Sequence, residues 1–315
     1  MRILIAGAGA LGSVFGGFLR KAGHQVTLLG RAWHLDAIEE KGLRIEGIWG
    51  SHKVGNFTLA TSPDSLMKSY DLVLVTVKSY DTEKMAGKLT PFANNGSLTV
   101  SLQNGLGNTE IMSSVLGAGN VVSGRVIFGA EITEPGLVKV TVIADDVVLG
   151  PPVKGAKVPE PDKIAAIVGL LLKAGIPCRY DENIQGLIWA KAFYNCALNP
   201  LGALFGMNYG QLADNQNARL IMEQIVSEAF QVALSRKIAL PWNSHEHFLE
   251  AFYEEMVPPT RNHRPSMLQD LERGRLTEID ALNGRILSWA KEAGLDVPVN
   301  ETITRLIKIK EKHIV

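Results

Sequence analysis

Cysteine is scarce in this chain. Its 315 residues hold two, Cys178 and Cys196, with no CxxC pair and no Cys/His cluster. That excludes a disulfide framework and speaks against a structural zinc site, so a reducing cytoplasm is the expected setting. Net charge is absent too: 32 Lys+Arg stand against 32 Asp+Glu, which leaves no overall basic field for nucleic acid or an anionic membrane. The seven histidines form no metal-ligand spacing, and no metal is expected. No apolar run is long enough to span a bilayer. The opening MRILIAGAGALGSVFGGFLRKAGH has the basic start and apolar run of a signal peptide, but Gly7, Gly9, Gly12, Gly16 and Gly17 break the run. No A-x-A cleavage site follows, so secretion is not expected. Internal repeats and low-complexity segments are missing as well.

What is present is apolar residue in quantity, 46% of a chain long enough for two domains. Up to about residue 180, short β-rich runs alternate with helical patterns. RILIAG (2–7), QVTLLG (25–30), DLVLVTVK (71–78), GSLTVSLQNG (96–105) and NVVSGRVIFG (120–129) read as strands. Val, Ile and Leu crowd them without alternation, as in a parallel sheet buried on both faces. Residues 43–60 and 137–149 read as further strands, and helices are expected at 12–22, 81–92 and 160–174. A Pro/Gly/Lys loop is expected at 150–163. After Asp181 helical periodicity takes over, at 182–198, 215–237, 244–257, 266–273, 277–293 and 298–312. The expected architecture is α/β: an N-terminal doubly wound, Rossmann-type sheet domain over 1–181, then an all-helical domain over 182–315.

The first domain carries a phosphate loop. Gly7-Ala8-Gly9-Ala10-Leu11-Gly12 is G-x-G-x-x-G, a weak signal alone. Here it follows an apolar strand, opens a helix and precedes a second strand, the context of a dinucleotide site. The helix N-terminus then offers N–H groups and positive dipole to the phosphates. An NAD enzyme usually has an acid about 20 residues past the loop, on the ribose 2′-OH. This chain has Gly30 and Arg31 there. Glycine leaves room and a guanidinium matches a 2′-phosphate, so NADP(H) is the expected cofactor. Lys78 and Asn104 end two further strands, where ligands sit in doubly wound folds.

The second domain raises a question. In WAKAFYNCALNP (189–200), Lys191, Asn195 and Asn199 fall at i, i+4 and i+8, along one face of a helix that is otherwise apolar or small. Such a helix is buried. The residues alone leave two readings open: a functional row, or two interhelical amides beside a lysine that snorkels to solvent. Ser266 is equally a ligand hydroxyl or a helix cap, and Thr277, Glu278 and Asp280 a capped acidic first turn.

Taken together, GAGALG with Arg31, VKSYDT (77–82), LQNGLGN (102–108), WAKAFYNCALNPLGAL (189–204) and RPSMLQDLERGRLTEID (264–280) resemble the ketopantoate reductase family over the whole length. The resemblance implies NADPH-dependent reduction of a small 2-oxo acid, with Lys191 as proton donor and with Asn195, Asn199 and Ser266 holding the acid. It implies that the phosphate loop, Arg31, Lys78, Asn104, Ala130 and Glu278 serve the cofactor, with Glu278 also close to Lys191. A further substrate asparagine of the family falls at Asn208 or Tyr209. An asparagine the family often has three residues before the serine is His263 here, flanked by Arg261 and Arg264, which leaves the exact acid open. An alternative substrate among the 2-oxo acids and a non-catalytic NADPH sensor stay as competing functions, though a sensor has no need of a proton donor. The oligomeric state is not fixed by the sequence, and a homodimer is compatible with it.

Overall fold

The computed structural model describes residues 1–93, 96–152 and 157–312; part of the loop expected at 150–163 lies outside the described residues. Among the described residues there are two compact units. One is Met1–Asn104 with Asn108–Ile184, the other Gly105–Gly107 with Gln185–Val315.

The first unit is built on strands that read apolar throughout because both faces are covered. In β1 (Arg2–Ala6), Ile3 and Ile5 face one core while Leu4 and Ala6 face another. The remaining strands follow in chain order as β2 (Gln25–Leu29), β3 (Leu43–Gly47), β4 (His52–Val54), β5 (Thr58–Ala60), β6 (Leu72–Val75), β7 (Leu98–Ser101), β8 (Val121–Arg125), β9 (Phe128–Glu134), β10 (Leu137–Ile143), β11 (Val147–Gly150) and β12 (Cys178–Tyr180). An eight-stranded sheet runs β12-β11-β8-β7-β6-β1-β2-β5. It is parallel at every pairing except β8/β11. Helices Ala10–Lys21 and Pro161–Lys173 cover one face, bringing Phe15, Phe18, Ile164 and Leu171. Helices Thr82–Ala93 and Asn108–Leu116 cover the other, bringing Ala86, Leu89 and Met112. β1 lies between β2 and β6, so the winding reverses there and the loops after β1, β2 and β6 open at one switch point.

The run 120–129, expected as one strand, is two. β8 stays in the large sheet, and β9 enters a second sheet of order β4-β3-β10-β9. Arg125, at the break, is ion-paired with Asp145, which holds the end of β8 while the chain turns away.

The second unit is helical. Its first helix, Ile184–Phe205, runs through Pro200, seven residues beyond the expected end at 198. Six further α-helices follow among the described residues: Tyr209–Asp214, Gln216–Ser235, His245–Ala251, Ser266–Glu272, Asn283–Ala293 and Pro298–Lys312. A π-helical turn, Phe252–Met256, continues His245–Ala251. Trp189, Phe193, Phe230, Phe248 and Phe252 fill the core, with Trp189 stacked on Trp289 at 5.4 Å. The helix expected over 277–293 is instead a short 3-10 turn, Ile279–Ala281, and then Asn283–Ala293. No helix among the described residues is long and apolar enough to cross a membrane.

Candidate active site

The phosphate loop is shaped by its glycines in three different ways. Gly7 has φ +116°, and a Cβ there would stand 2.6 Å from the Val77 nitrogen, so only glycine serves. Gly12 packs against the loop itself, where a Cβ would meet the Gly7 carbonyl oxygen at 2.2 Å. Gly9 is the informative case: it is exposed, and a Cβ there would have nothing within 4 Å. No protein atom demands glycine at that position, whereas a ligand approaching the backbone does. Gly9 is also the N-cap of Ala10–Lys21 and supplies no side-chain cap, so the N–H groups and dipole of that helix are left for an anion. The loop therefore fits a dinucleotide pyrophosphate.

Two residues that do not stand out in the sequence hold this loop. The Thr76 hydroxyl, at the end of β6, donates to the Gly7 carbonyl at 2.6 Å. His34 joins three elements. Its Nδ1 accepts the Gly136 N–H at 3.1 Å, so its Nε2 carries the proton and donates to Ser13 Oγ at 3.0 Å. Ser13 lies in the phosphate-loop helix. His34 lies in Ala32–Lys41, the helix that Arg31 caps, and Arg31 itself is exposed at the end of β2. The spacing of His34 from Arg31 was the available signal, but a lone histidine in an apolar pattern does not announce its partners.

The loops bearing Lys78 and Asn104 are tied to each other. Gln103 Nε2 donates to the Val77 carbonyl at 3.1 Å and to Thr82 Oγ1 at 2.7 Å. The Thr82 hydroxyl lies 2.8 Å from both the Ser79 carbonyl and Asn108 Oδ1, its one proton serving either. Asn108 Nδ2 donates to the Asn104 carbonyl at 2.8 Å. Lys78 and Asn104 thus sit on one braced pair of strand ends, beyond β6 and β7. Ala130 is elsewhere in this unit: it lies on β9, opposite Val140, in the four-stranded sheet.

In the helical unit, every residue from Trp189 to Ala203 is buried except Lys191 and Tyr194, which are half-buried. Asn195 and Asn199 are 7% and 2% exposed. Pro200 shapes this helix. It has no N–H to give the Cys196 carbonyl four residues back, and Asn283 Nδ2 donates to that carbonyl instead, at 3.2 Å. Asn283 Nδ2 also reaches Asn300 Oδ1 at 3.0 Å, and Asn300 in turn donates to Glu228 at 2.7 Å. The proline was the signal that a buried carbonyl needed an outside donor. Which donor it was lay 87 residues away.

The Asn199 amide has its own partner. Tyr209, 4% exposed, donates its hydroxyl to Asn199 Oδ1 at 2.7 Å. Asn208 is differently engaged, as the N-cap of Tyr209–Asp214 in a reciprocal capping box with Gln211. The segment 261–263 lies along this cap, since the Tyr209 N–H donates to the His263 carbonyl and the Gly210 N–H to that of Arg261. Both neighbouring arginines are paired, Arg261 with Asp214 at 2.5 Å and Arg264 with Glu272 at 2.6 Å. Next comes Pro265, the N-cap of Ser266–Glu272. Ser266 is therefore the first helical residue and not the cap. Pro265 packs on the Lys191 helix, where a Cβ on Gly202 would meet its Cγ at 2.3 Å. Asn199, Tyr209 and the start of the Ser266 helix are in this way gathered at one end of the Lys191 helix.

Glu278 is buried, 8% exposed, at the N-cap of the turn Ile279–Ala281. Thr277 and Asp280, on either side of it, are anchored to the last helix. Glu311 accepts the Thr277 N–H at 2.8 Å and hydroxyl at 2.6 Å, and Lys308 bridges Glu311 and Asp280. Burial pushes the Glu311 carboxyl up, but Thr277 and Lys308 together outweigh it and hold it below the usual carboxylate range. Thr277 and Asp280 are thus bound up in structural bonds, and Glu278 is held between two fixed points.

Family models for "Ketopantoate reductase PanE/ApbA" and its "C terminal" match residues 3–153 and 183–311. A 2-dehydropantoate 2-reductase of Aquifex aeolicus is 39% identical, over 99% of this chain and 97% of its own. A PanE/ApbA family ketopantoate reductase from Ralstonia eutropha superposes with TM-score 0.88 at 32% identity, covering 100% of this chain and 99% of that one. D-mandelate dehydrogenase, solved with NADH and anilino(oxo)acetate, superposes with TM-score 0.87 at 29% identity and the same coverage.

Proposed function

The chain is an oxidoreductase that belongs to the ketopantoate reductase family, and we propose that it reduces ketopantoate to pantoate with NADPH. The observation that carries the reading is the row of Lys191, Asn195 and Asn199 on a helix buried nearly all round. A core helix keeps one ammonium and two amides in line at a cost in desolvation, and a 2-oxo acid gives each of them a role.

When bound, reduced nicotinamide supplies a hydride to the ketone carbon. The oxygen that gains the electron pair needs a positive donor and then a proton, and the Lys191 ammonium provides both. Glu278, fixed between Thr277 and Asp280, aims that ammonium. Asn195 and Asn199 hold the substrate's hydroxyl and carboxylate oxygens with neutral groups, and the Ser266 hydroxyl completes the carboxylate site. Gly7, Ala8, Gly9, Ala10, Leu11 and Gly12 take the pyrophosphate. Arg31 takes the 2′-phosphate, and Lys78, Asn104, Ala130 and Glu278 complete the cofactor contacts.

Arg261 is paired with Asp214 and Arg264 with Glu272, which favours a substrate with one carboxylate over one whose second carboxylate would have to displace those exposed pairs. An aromatic 2-oxo acid is the second reading. D-mandelate dehydrogenase, a structural relative, was solved with anilino(oxo)acetate, and the rings of Tyr194 and Tyr209 lie 5.5 Å apart beside Asn199.

The test is coenzyme oxidation, with NADPH and with NADH, against ketopantoate, 2-oxoisovalerate, a dicarboxylic 2-oxo acid and benzoylformate. Ketopantoate should exceed 2-oxoisovalerate, which lacks the hydroxymethyl group, by at least about tenfold in kcat/KM, because buried amides would be left unbonded. A clear preference for the dicarboxylic or the aromatic acid would overturn the substrate and leave the reductase class standing.

A further inference from the structure

We propose that Tyr209 is a positioning residue that fixes which end of the Asn199 amide the substrate meets, and so makes this point of the site a hydrogen-bond donor. The proposal rests on the reading of Asn199 as a substrate group.

A carboxamide is nearly symmetric in shape but not in chemistry. Rotating it by half a turn exchanges an acceptor for two donors. Here a side-chain hydroxyl settles that choice, since Tyr209 donates to Asn199 Oδ1 at 2.7 Å with both groups buried. Reversing the amide would turn the Tyr209 hydroxyl into the acceptor and leave its own buried proton without the oxygen that Asn199 supplies here, at the cost of a buried unsatisfied donor. Nδ2 is therefore the end left to face outward, and it recognises an oxygen that accepts, such as a substrate hydroxyl or carboxylate oxygen.

The hydroxyl is itself held firmly. The Tyr209 ring packs against those of Tyr194, at 5.5 Å, and His263, at 5.1 Å. Its backbone N–H donates to His263, and the next residue, Gly210, donates to Arg261 at 2.8 Å. A Cβ at Gly210 would stand 3.1 Å from the Arg261 carbonyl oxygen and Cβ, so the small residue is what admits this close approach. The neighbouring hydroxyl of Tyr194 is engaged elsewhere, 2.5 Å from Thr260 Oγ1, and does not compete for Asn199. Burial raises the Tyr209 hydroxyl well above its ordinary value, so it keeps its proton, and its role as donor, across the working pH range.

The experiment is a double-mutant cycle on the full chain: wild type, Tyr209→Phe, Asn199→Ala and the pair. Phenylalanine keeps the ring and removes the hydroxyl. Tyr209→Phe should lower kcat/KM for ketopantoate about tenfold, the size of one hydrogen bond. Most of the loss should fall in KM. On the Asn199→Ala background the same change should have less than about a twofold effect, because there is no amide left to orient. Asn199→Ser serves as a second background if the alanine chain does not fold. An equal effect of Tyr209→Phe on both backgrounds overturns the proposal, since the hydroxyl would then act without Asn199. So does a lowered melting temperature with unchanged kinetics. If wild type prefers another 2-oxo acid, the substrate assignment has failed, and the same cycle on that acid still decides the role of Tyr209 by the presence or absence of coupling.

Discussion

Arg31 carries the proposed choice between the two coenzymes. It is exposed at the end of β2, and a guanidinium there would match a 2′-phosphate. Arg31→Ala should weaken NADPH roughly ten- to hundredfold, the size of a charged hydrogen bond, and leave NADH nearly unchanged. Ligand-induced thermal shifts read this without turnover, and equal weakening of both coenzymes would refute the role. Lys191 is tested by chemistry instead. Lys191→Ala should keep the fold and NADPH binding while kcat falls about 10²–10⁴-fold, the usual span for a positioned acid; a near-normal kcat would return the residue to a snorkelling lysine. His34 makes a prediction about pH. Burial lowers its folded pKa below the ordinary 6.5, and Nδ1 must stay unprotonated to accept the Gly136 N–H. As pH falls below 6.5 the unfolded chain takes a proton that the folded chain resists, so stability declines until the folded pKa is reached, and above 6.5 this contribution is constant. Unfolding titrations of wild type and His34→Gln should diverge in that sense, with wild type losing more stability on acidification; parallel curves would refute it.

Helix Ile184–Phe205 passes through a proline because a side chain from another helix takes over the missing bond. Asn283→Leu should therefore strand the buried Cys196 carbonyl and cost about 1–3 kcal/mol, the penalty for an unsatisfied polar group. Pro200→Ala restores an N–H four residues beyond Cys196 and should recover stability in the Asn283→Leu chain, with a smaller gain in wild type, where Asn283 already serves. Denaturant midpoints of the four chains check this; no recovery in the double variant would mean that Asn283 acts through Asn300 alone. The same helix shows where local pattern stops informing. Its burial and its polar row were legible from spacing, since periodicity is local. Its length was not, because the residue that lets it continue sits 87 positions on. Strand identities in the large sheet were legible from unbroken Val/Ile/Leu runs. The change of sheet at 126–127 was not, because β8 and β9 are equally β-forming and differ only in their partners. Helices Asn108–Leu116 and Tyr209–Asp214 were too short to show a period. Of the candidate site, the glycine turn of G-x-G-x-x-G and the charge of Arg31 could be singled out in advance because a turn and a charge are local. Tyr209, Thr76 and His34 act only through contacts that the fold creates.

At the scale of the molecule, chain order and structural membership part company at one loop. Gly105–Gly107 leaves the end of β7 and is counted with the helices of Gln185–Val315. The Leu106 N–H donates to the Ala281 carbonyl at 2.7 Å, and its side chain, 3% exposed, belongs to the helical core with Trp189 and Ile279. The flanking glycines make this fit. Gly105 and Gly107 have φ +87° and +85°, and Cβ atoms on them would strike Ala281 and Arg285 at 2.6 Å. A linear reading assigns LQNGLGN wholly to the sheet domain, since nothing local says that its middle residue is buried among helices. The consequence is measurable. Leu106→Ala should cost about 2–5 kcal/mol, the range for a leucine removed from a packed core. That loss should appear as faster amide hydrogen exchange in Asn283–Ala293 and the Lys191 helix, while β1, β6 and β7 keep their protection. Because Ala281 lies three residues past Glu278, kcat should fall along with helical protection, and NADPH affinity should hold because the phosphate loop is untouched. Loss of protection in β6 and β7 with the helices unaffected would place Leu106 in the sheet domain after all.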